Sequence, residues 1–161
     1  SSLWKLNRLQ SGGGTLTDNG IHVLDLMLGL FKMPKKVVGS FHLNGFSETY
    51  GNETMLMIYD DKDIVIQSSH TMPFAGNHLL IYGTKGSIEV DGAFGESSIK
   101  KMIIKSSLGE YVKEYEPENL YKKEIENFIQ YQSNHKYNYG TTLDEAIDAL
   151  RLIDEMRNGG K

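Results

Sequence analysis

The stretch Ser-Gly-Gly-Gly-Thr-Leu-Thr-Asp-Asn-Gly-Ile-His-Val-Leu-Asp-Leu-Met-Leu-Gly-Leu-Phe, residues 11–31, decides how the rest of the chain is read. Its three glycines, free to take backbone angles closed to other residues, turn the chain into a run that is apolar at nearly every position from Ile21 to Phe31. The exceptions are His22, Asp25 and Gly29, with Asp18 one turn earlier. At roughly 100° per residue these four positions fall within about 60° of one another on a helix. A helix apolar on its remaining sides is a buried helix. It therefore carries one narrow polar seam, with a carboxylate and an imidazole a turn apart. Thr15 and Asp18 have capping-box spacing and Pro34 forbids continuation, so the pattern predicts a helix from about Leu16 to Phe31.

Upstream, residues 1–10 show no period and read as an irregular lead-in. The start, Ser-Ser-Leu-Trp-Lys, reads as a cut from a longer chain. Downstream of Pro34 the period changes to two, which predicts strands over Lys36–Phe46, Glu53–Tyr59, Asp63–His70, His78–Tyr82, Ser87–Val90, Ile99–Lys105 and Tyr111–Tyr115. The alternation offers His42, Asn44, Gln67, Ser69, His78 and Tyr82 as members of an open sheet face. After Pro117 two helical stripes follow. Tyr121, Ile125, Phe128, Ile129 and Gln132 form the first, and Leu143, Ala146, Ile147, Leu150 and Ile153 the second, which Thr142 and Glu145 open as a capping box. The tail, 157–161, reads as frayed. Strands in one block with helices on either side predict an α+β fold: a mostly antiparallel open sheet with helices packed on one face. A chain of 161 residues fits one domain, 1–161.

Composition narrows the function. The net charge is −4 and the 17 basic residues are scattered, which argues against nucleic acid as a partner. No cysteine is present, a composition that suits a reducing cytoplasm and removes thiolate chemistry. No apolar run is long enough to span a bilayer, so no membrane partner is expected. The five histidines have no metal-ligand spacing, no metal is expected, and no nucleophile elbow is present. The glycines ahead of the helix suggest a phosphate cradle, but neither a dinucleotide fingerprint nor a P-loop accompanies them.

The seam remains. Imidazole trades protons near neutral pH, and a carboxylate one turn away can orient the ring and stabilise its charged form. Asp18 and His22 have that spacing. From spacing alone a plainer reading outweighs this one: Asp18 as a cap and His22 as a wet-side residue. Asp25 reads as structural.

Gly12-Gly13-Gly14-x-Leu16-x-Asp18-x-Gly20-x-His22-x-x-Asp25 resembles the C-terminal domain of the glucose–fructose oxidoreductase / inositol dehydrogenase family, Gfo/Idh/MocA. Leu80–Ile88, containing Gly83-Thr84-Lys85-Gly86, is similar to a hairpin of that family. Glu124–Ile129 with Thr142–Leu150 is similar to its two closing helices. The resemblance implies an NAD(P)-dependent oxidoreductase acting on a sugar, polyol or similar alcohol. It implies His22 as the general base, Asp18 as the residue that tunes it, and Arg8, Asn77 and His78 as weaker candidates for substrate contacts. The family's N-terminal Rossmann domain, with its glycine fingerprint and Glu-Lys-Pro lysine, is absent from these residues. NAD or NADP is therefore expected only in the full-length enzyme, with no cofactor on this chain alone, which is expected to be inactive by itself. Expected partners are a small-molecule substrate, the missing Rossmann domain and a second copy of the chain through the sheet face. The alternative reading is a non-catalytic binding or oligomerisation module on the same scaffold.

Overall fold

The switch from helical to alternating periodicity at Pro34 is where helix gives way to strand. The computed structural model describes residues 3–43, 48–72, 76–94, 99–133 and 140–159. A 3-10 turn at Leu3–Leu6 leads to α1 (Arg8–Ser11), a π-helical turn at Leu16–Gly20 and α2 (Ile21–Phe31). Seven strands follow: β1 (Lys36–Leu43), β2 (Tyr50–Ile58), β3 (Asp63–Ser69), β4 (His78–Gly83), β5 (Gly86–Asp91), β6 (Lys101–Ser106) and β7 (Gly109–Glu114). Two helices close the chain, α3 (Leu120–Ser133) and α4 (Leu143–Arg157). The class is α+β with antiparallel strands throughout, as the alternation predicts. The strands are divided between two sheets, β1-β2-β3 and β4-β5-β6-β7, rather than gathered in one. Contacts likewise fall into two compact units, residues 1–73 with 141–161, and residues 74–140.

In the first unit, β2 is the central strand and alternates strictly, burying Gly51, Glu53, Met55 and Met57. Register places Met57 between Val37 and Ile64, and Met55 between Gly39 and Ile66. On this face α4 packs against β1 and against α2. Their shared core includes Leu16, Leu24, Met27, Ala149, Leu152, Ile153 and Met156. At Gly39 a β-carbon would collide with the Met156 sulfur and the Thr54 carbonyl, so the bare backbone is what lets α4 approach. The opposite face stays open and carries Val38, Leu56 and Val65 in one row, with His42, Asn52 and Ser69 in another. Gln67 shares that face. Asn44 lies outside the described residues, as do Gly45 and Phe46 of the expected first strand.

Three local expectations change. The lead-in is structured: Asn7 caps α1 by accepting from the Leu9 and Gln10 N–H groups, and Gly12 ends it at φ +70°. One turn is too short for periodicity to reveal. The box at Thr15 does not form, because its hydroxyl bonds to Ser68 Oγ at 2.7 Å and Thr15 is fully buried. The box at Thr142 and Glu145 is complete, and the Thr142 N–H, then its hydroxyl, holds the Glu145 carboxyl below its usual value. The tail is anchored rather than frayed at Arg157, which ends α4; Gly160 and Lys161 lie outside the described residues.

Arg157 reaches the most buried charge of the unit. Its Nε and Nη2 donate to Glu53 at 2.8 and 2.9 Å, and its Nη1 donates to Thr17 Oγ1 at 3.1 Å. The Leu16 N–H donates to the same carboxylate at 2.8 Å. Gly14 makes room: a β-carbon there would stand 2.5 Å from Glu53 Oε2.

The second unit is a four-stranded meander. His78, Leu80 and Tyr82 share one face with Glu89 and Asp91, while Leu79 and Ile81 share the other with Ile88 and Val90. Helix α3 buries none of its residues, and Tyr121, Ile125, Phe128 and Ile129 of its apolar stripe are each at least 60% exposed.

Removing one partner of a buried ion pair strands the other charge, at a cost of about 3–5 kcal/mol. Glu53→Ala and Arg157→Ala should each lower the unfolding free energy by about that amount, while Arg151→Ala, an exposed change on the same helix, should stay within about 0.5 kcal/mol. Urea unfolding of the three variants checks this, and equal small losses would contradict the anchoring role.

Candidate functional site

The polar seam of the helical stretch is the candidate site, and its geometry starts from the π turn. A π turn takes one more residue than an α turn and is frequent at functional sites. Here it covers Leu16–Gly20, so Asp18 sits on wide winding while His22 sits on ordinary α-helix. The i, i+4 stacking that α geometry would impose is therefore broken between them. Among the described residues, the Asp18 carboxylate is engaged not by His22 but by Lys5 and His70. Lys5 Nζ donates to Asp18 Oδ2 at 2.6 Å, and His70 Nε2 stands 3.2 Å from the same oxygen. The expected Asp18–His22 dyad is thus not formed.

His22 stands on the α-helical part of the seam. It lies one residue into α2 and is exposed, while Leu24 and Met27 of the same helix are buried. Asp25 is structural: its Oδ2 accepts from Thr141 Oγ1 at 2.6 Å, tying α2 to the entrance of α4. Arg8 opens α1 in the same unit, and its backbone N–H donates to Glu48 Oε2 at 3.3 Å. Asn77 and His78 belong to the second unit. The Asn77 carbonyl accepts from the Gly92 and Ala93 N–H groups, and His78 Nδ1 faces its cross-strand partner Asp91 at 3.5 Å.

Lys5 and His70 are the site residues that sequence reasoning missed. Neither has a local signal: Lys5 stands in an aperiodic lead-in and His70 at a strand end. Only pairing of β3 with β2 brings His70 to its place, where its N–H bonds to the Gly51 carbonyl at 2.9 Å.

The phosphate cradle is already filled by the protein. The Leu16 N–H, which a phosphate would use, donates to Glu53, so the anion at this helix start is an internal carboxylate. Nor do the described residues fit a dinucleotide: both sheets are purely antiparallel, and no parallel strand pair offers a switch-point crevice. Among the described residues no group of three or more His, Asp or Glu side chains is placed to hold a metal, and no helix is long and apolar enough to cross a membrane. An open depression of about 400 Å³ in the second unit, lined by Ile81, Lys85, Ile88 and Ile104, contains none of the site residues.

The family model of the GFO/IDH/MocA C-terminal domain matches residues 1–89. Among solved structures, the chain is similar to aldose-aldose oxidoreductase from Caulobacter crescentus, complexed with glycerol. Identity is 20%, the TM-score is 0.82, and the match covers 97% of this chain and 48% of that one. It is similar to an oxidoreductase from Bacillus cereus at 17% identity and a TM-score of 0.65, covering 88% and 47%. A protein of Desulfitobacterium hafniense, described as an NADPH-dependent oxidoreductase, matches at 14% identity and a TM-score of 0.71, covering 96% and 49%. The chain spans about half the length of these structures, and at such identities the likeness is one of fold. No curated protein matches it.

An exposed residue without a structural bond is cheap to remove, and a buried leucine is not. His22→Ala should change the unfolding free energy by no more than about 0.5 kcal/mol, against about 2–5 kcal/mol for Leu24→Ala two positions on. Denaturant unfolding of the two variants checks this, and a large loss in His22→Ala would make that residue structural.

Proposed function

The chain belongs to the GFO/IDH/MocA C-terminal domain family, and from that membership we propose that it is the substrate half of an NAD(P)-dependent oxidoreductase acting on a sugar, polyol or similar alcohol. The observation that carries the reading is His22: an exposed imidazole on the first turn of a helix that buries Leu24 and Met27 in the core. Its backbone is fixed by tertiary contacts, and its ring is open to a ligand. In this role His22 accepts the hydroxyl proton of the alcohol as the carbon is oxidised, and returns it in the reverse direction. Asp18 contributes a fixed negative charge nearby without orienting the ring. The similarity to an aldose-aldose oxidoreductase complexed with glycerol supports a polyhydroxylated substrate. NAD or NADP belongs with the dinucleotide-binding half of the complete enzyme, and this chain alone is without turnover.

The open face of the first sheet supports a second element of the proposal, assembly with another copy. Val65 there is 67% exposed and Val38 36%, an apolar row flanked by polar side chains.

In the complete enzyme His22→Ala should lower kcat by about 10²–10⁴, the usual share of general acid–base catalysis. Near-normal turnover in that variant would remove the proposed role and leave a binding module. Calorimetry on the 161-residue chain should show no binding of NADH or NADPH. Sedimentation equilibrium tests assembly separately: Val65→Lys should shift the chain toward monomer, and a strict monomer before mutation would refute that element.

A further inference from the structure

His70 is a second imidazole in the site, and its surroundings differ from those of His22. Its side chain is 24% exposed, and Nε2 stands 3.2 Å from Asp18 Oδ2. Its backbone is held by the bond to the Gly51 carbonyl, and Gly51 is buried in the central strand. Across the same oxygen, Lys5 donates at 2.6 Å, and Lys5 too sits on anchored backbone, because its carbonyl accepts from the Thr49 hydroxyl at 3.1 Å. Thr49 is 4% exposed. Three segments distant in sequence thus bring an ammonium, a carboxylate and an imidazole together on fixed main chain. An ion pair of two mobile surface side chains has no such preparation.

We propose that His70, not His22, is the imidazole that Asp18 engages, and that His70 and Lys5 are positioning residues that fix the Asp18 carboxylate. The proposal rests on reading this seam as the functional site. Nε2 is the His70 nitrogen that faces the carboxylate, and the proposal places the proton of neutral His70 there, with Asp18 as its acceptor. Lys5 supplies the opposing charge that keeps Asp18 directed at both groups. His22 is then a base with no carboxylate partner among the described residues, and its ring orientation is left to the substrate. His70 acts on the site only through Asp18.

The test is spectroscopic and independent of turnover, so it stands or falls apart from the activity of the complete enzyme. In the 161-residue chain, nitrogen-15 spectra of the neutral imidazoles should show His70 as a single tautomer with the proton on Nε2, and that proton should be protected enough from solvent exchange to give a visible N–H signal. Asp18→Ala should abolish the signal, and His22→Ala should leave it unchanged. A His70 proton found on Nδ1 in the unmutated chain overturns the proposal without any variant. So does a protected N–H that survives Asp18→Ala, or one that proves to belong to His22. If Asp18→Ala fails to fold, His70→Gln serves instead: its amide can still donate to Asp18, so the Lys5 ammonium resonances should be retained, whereas His70→Ala should shift them. Equal effects of the two His70 substitutions would overturn the positioning role.

Discussion

A carboxylate withdrawn from water, Glu53, is the constraint on which the first unit depends. Taking such a charge out of solvent costs several kcal/mol, and only full pairing offsets that cost. Both oxygens are satisfied: Oε1 by Arg157 Nε, and Oε2 by Arg157 Nη2 and the Leu16 N–H. One residue of the central strand therefore holds the last residue of α4 and the first residue of the π turn. The positive end of the helix dipole and a guanidinium both face it, which are the two kinds of group a buried carboxylate favours. Gly14 belongs to the same constraint, since a side chain there would occupy the carboxylate's position. The bond is directional where the surrounding hydrophobic core is not, so it fixes how far α4 slides over β1 and where the π turn sits against β3.

Much of this was legible and some of it could not be. Strand positions survive translation into structure because period two depends only on each residue's own face; the burial of β2 alternates strictly even though its letters run apolar from Met55 to Ile58 and put Glu53 on the buried side. The Thr142 box was legible because both partners lie within four residues. The Thr15 box had the same spacing and did not form, because the hydroxyl bonds to Ser68 of β3 and the Asp18 N–H that a box would use goes to the Gly14 carbonyl. Ser68 arrives only with the fold. Arg157 looked like tail for the same reason, its partner being Glu53. The division of the strands into two sheets is equally non-local, since alternation says which residues share a face within a strand and nothing about which strands pair.

The site shows the same boundary between local and non-local information. Its motif marks the helix and marks His22 on an exposed side of it, but the first turn is π and Leu26 and Leu30 are exposed, so the helix is not buried on all its apolar sides as the pattern implies. The partner of Asp18 is another matter. Spacing of i, i+4 implies contact only if the winding is α throughout, and the turn that holds Asp18 is π. The Gly14 carbonyl accepts from both the Thr17 and the Asp18 N–H at 3.2 Å, and the Leu16 N–H, one of the first donors that a helix leaves without an internal partner, goes to Glu53.

This links the buried ion pair to the proposed chemistry. A base is effective only if it is held within a fraction of an ångström of its working position, and that precision comes from the packing and hydrogen bonds beneath it rather than from the base. Among the described residues no hydrogen bond holds the His22 ring. Its position is inherited from α2, which continues a π turn whose first residue is held by Glu53, itself held by Arg157 of α4. Asp18 in turn takes its direction from Lys5 and His70. The short glycine-to-histidine motif is thus necessary to the site without being sufficient for it. A chain that kept every letter of residues 11–31 but lost Glu53 or Arg157 would still present His22 on a helix, but on one free to shift, and a proton acceptor that shifts is a binding surface rather than a catalyst.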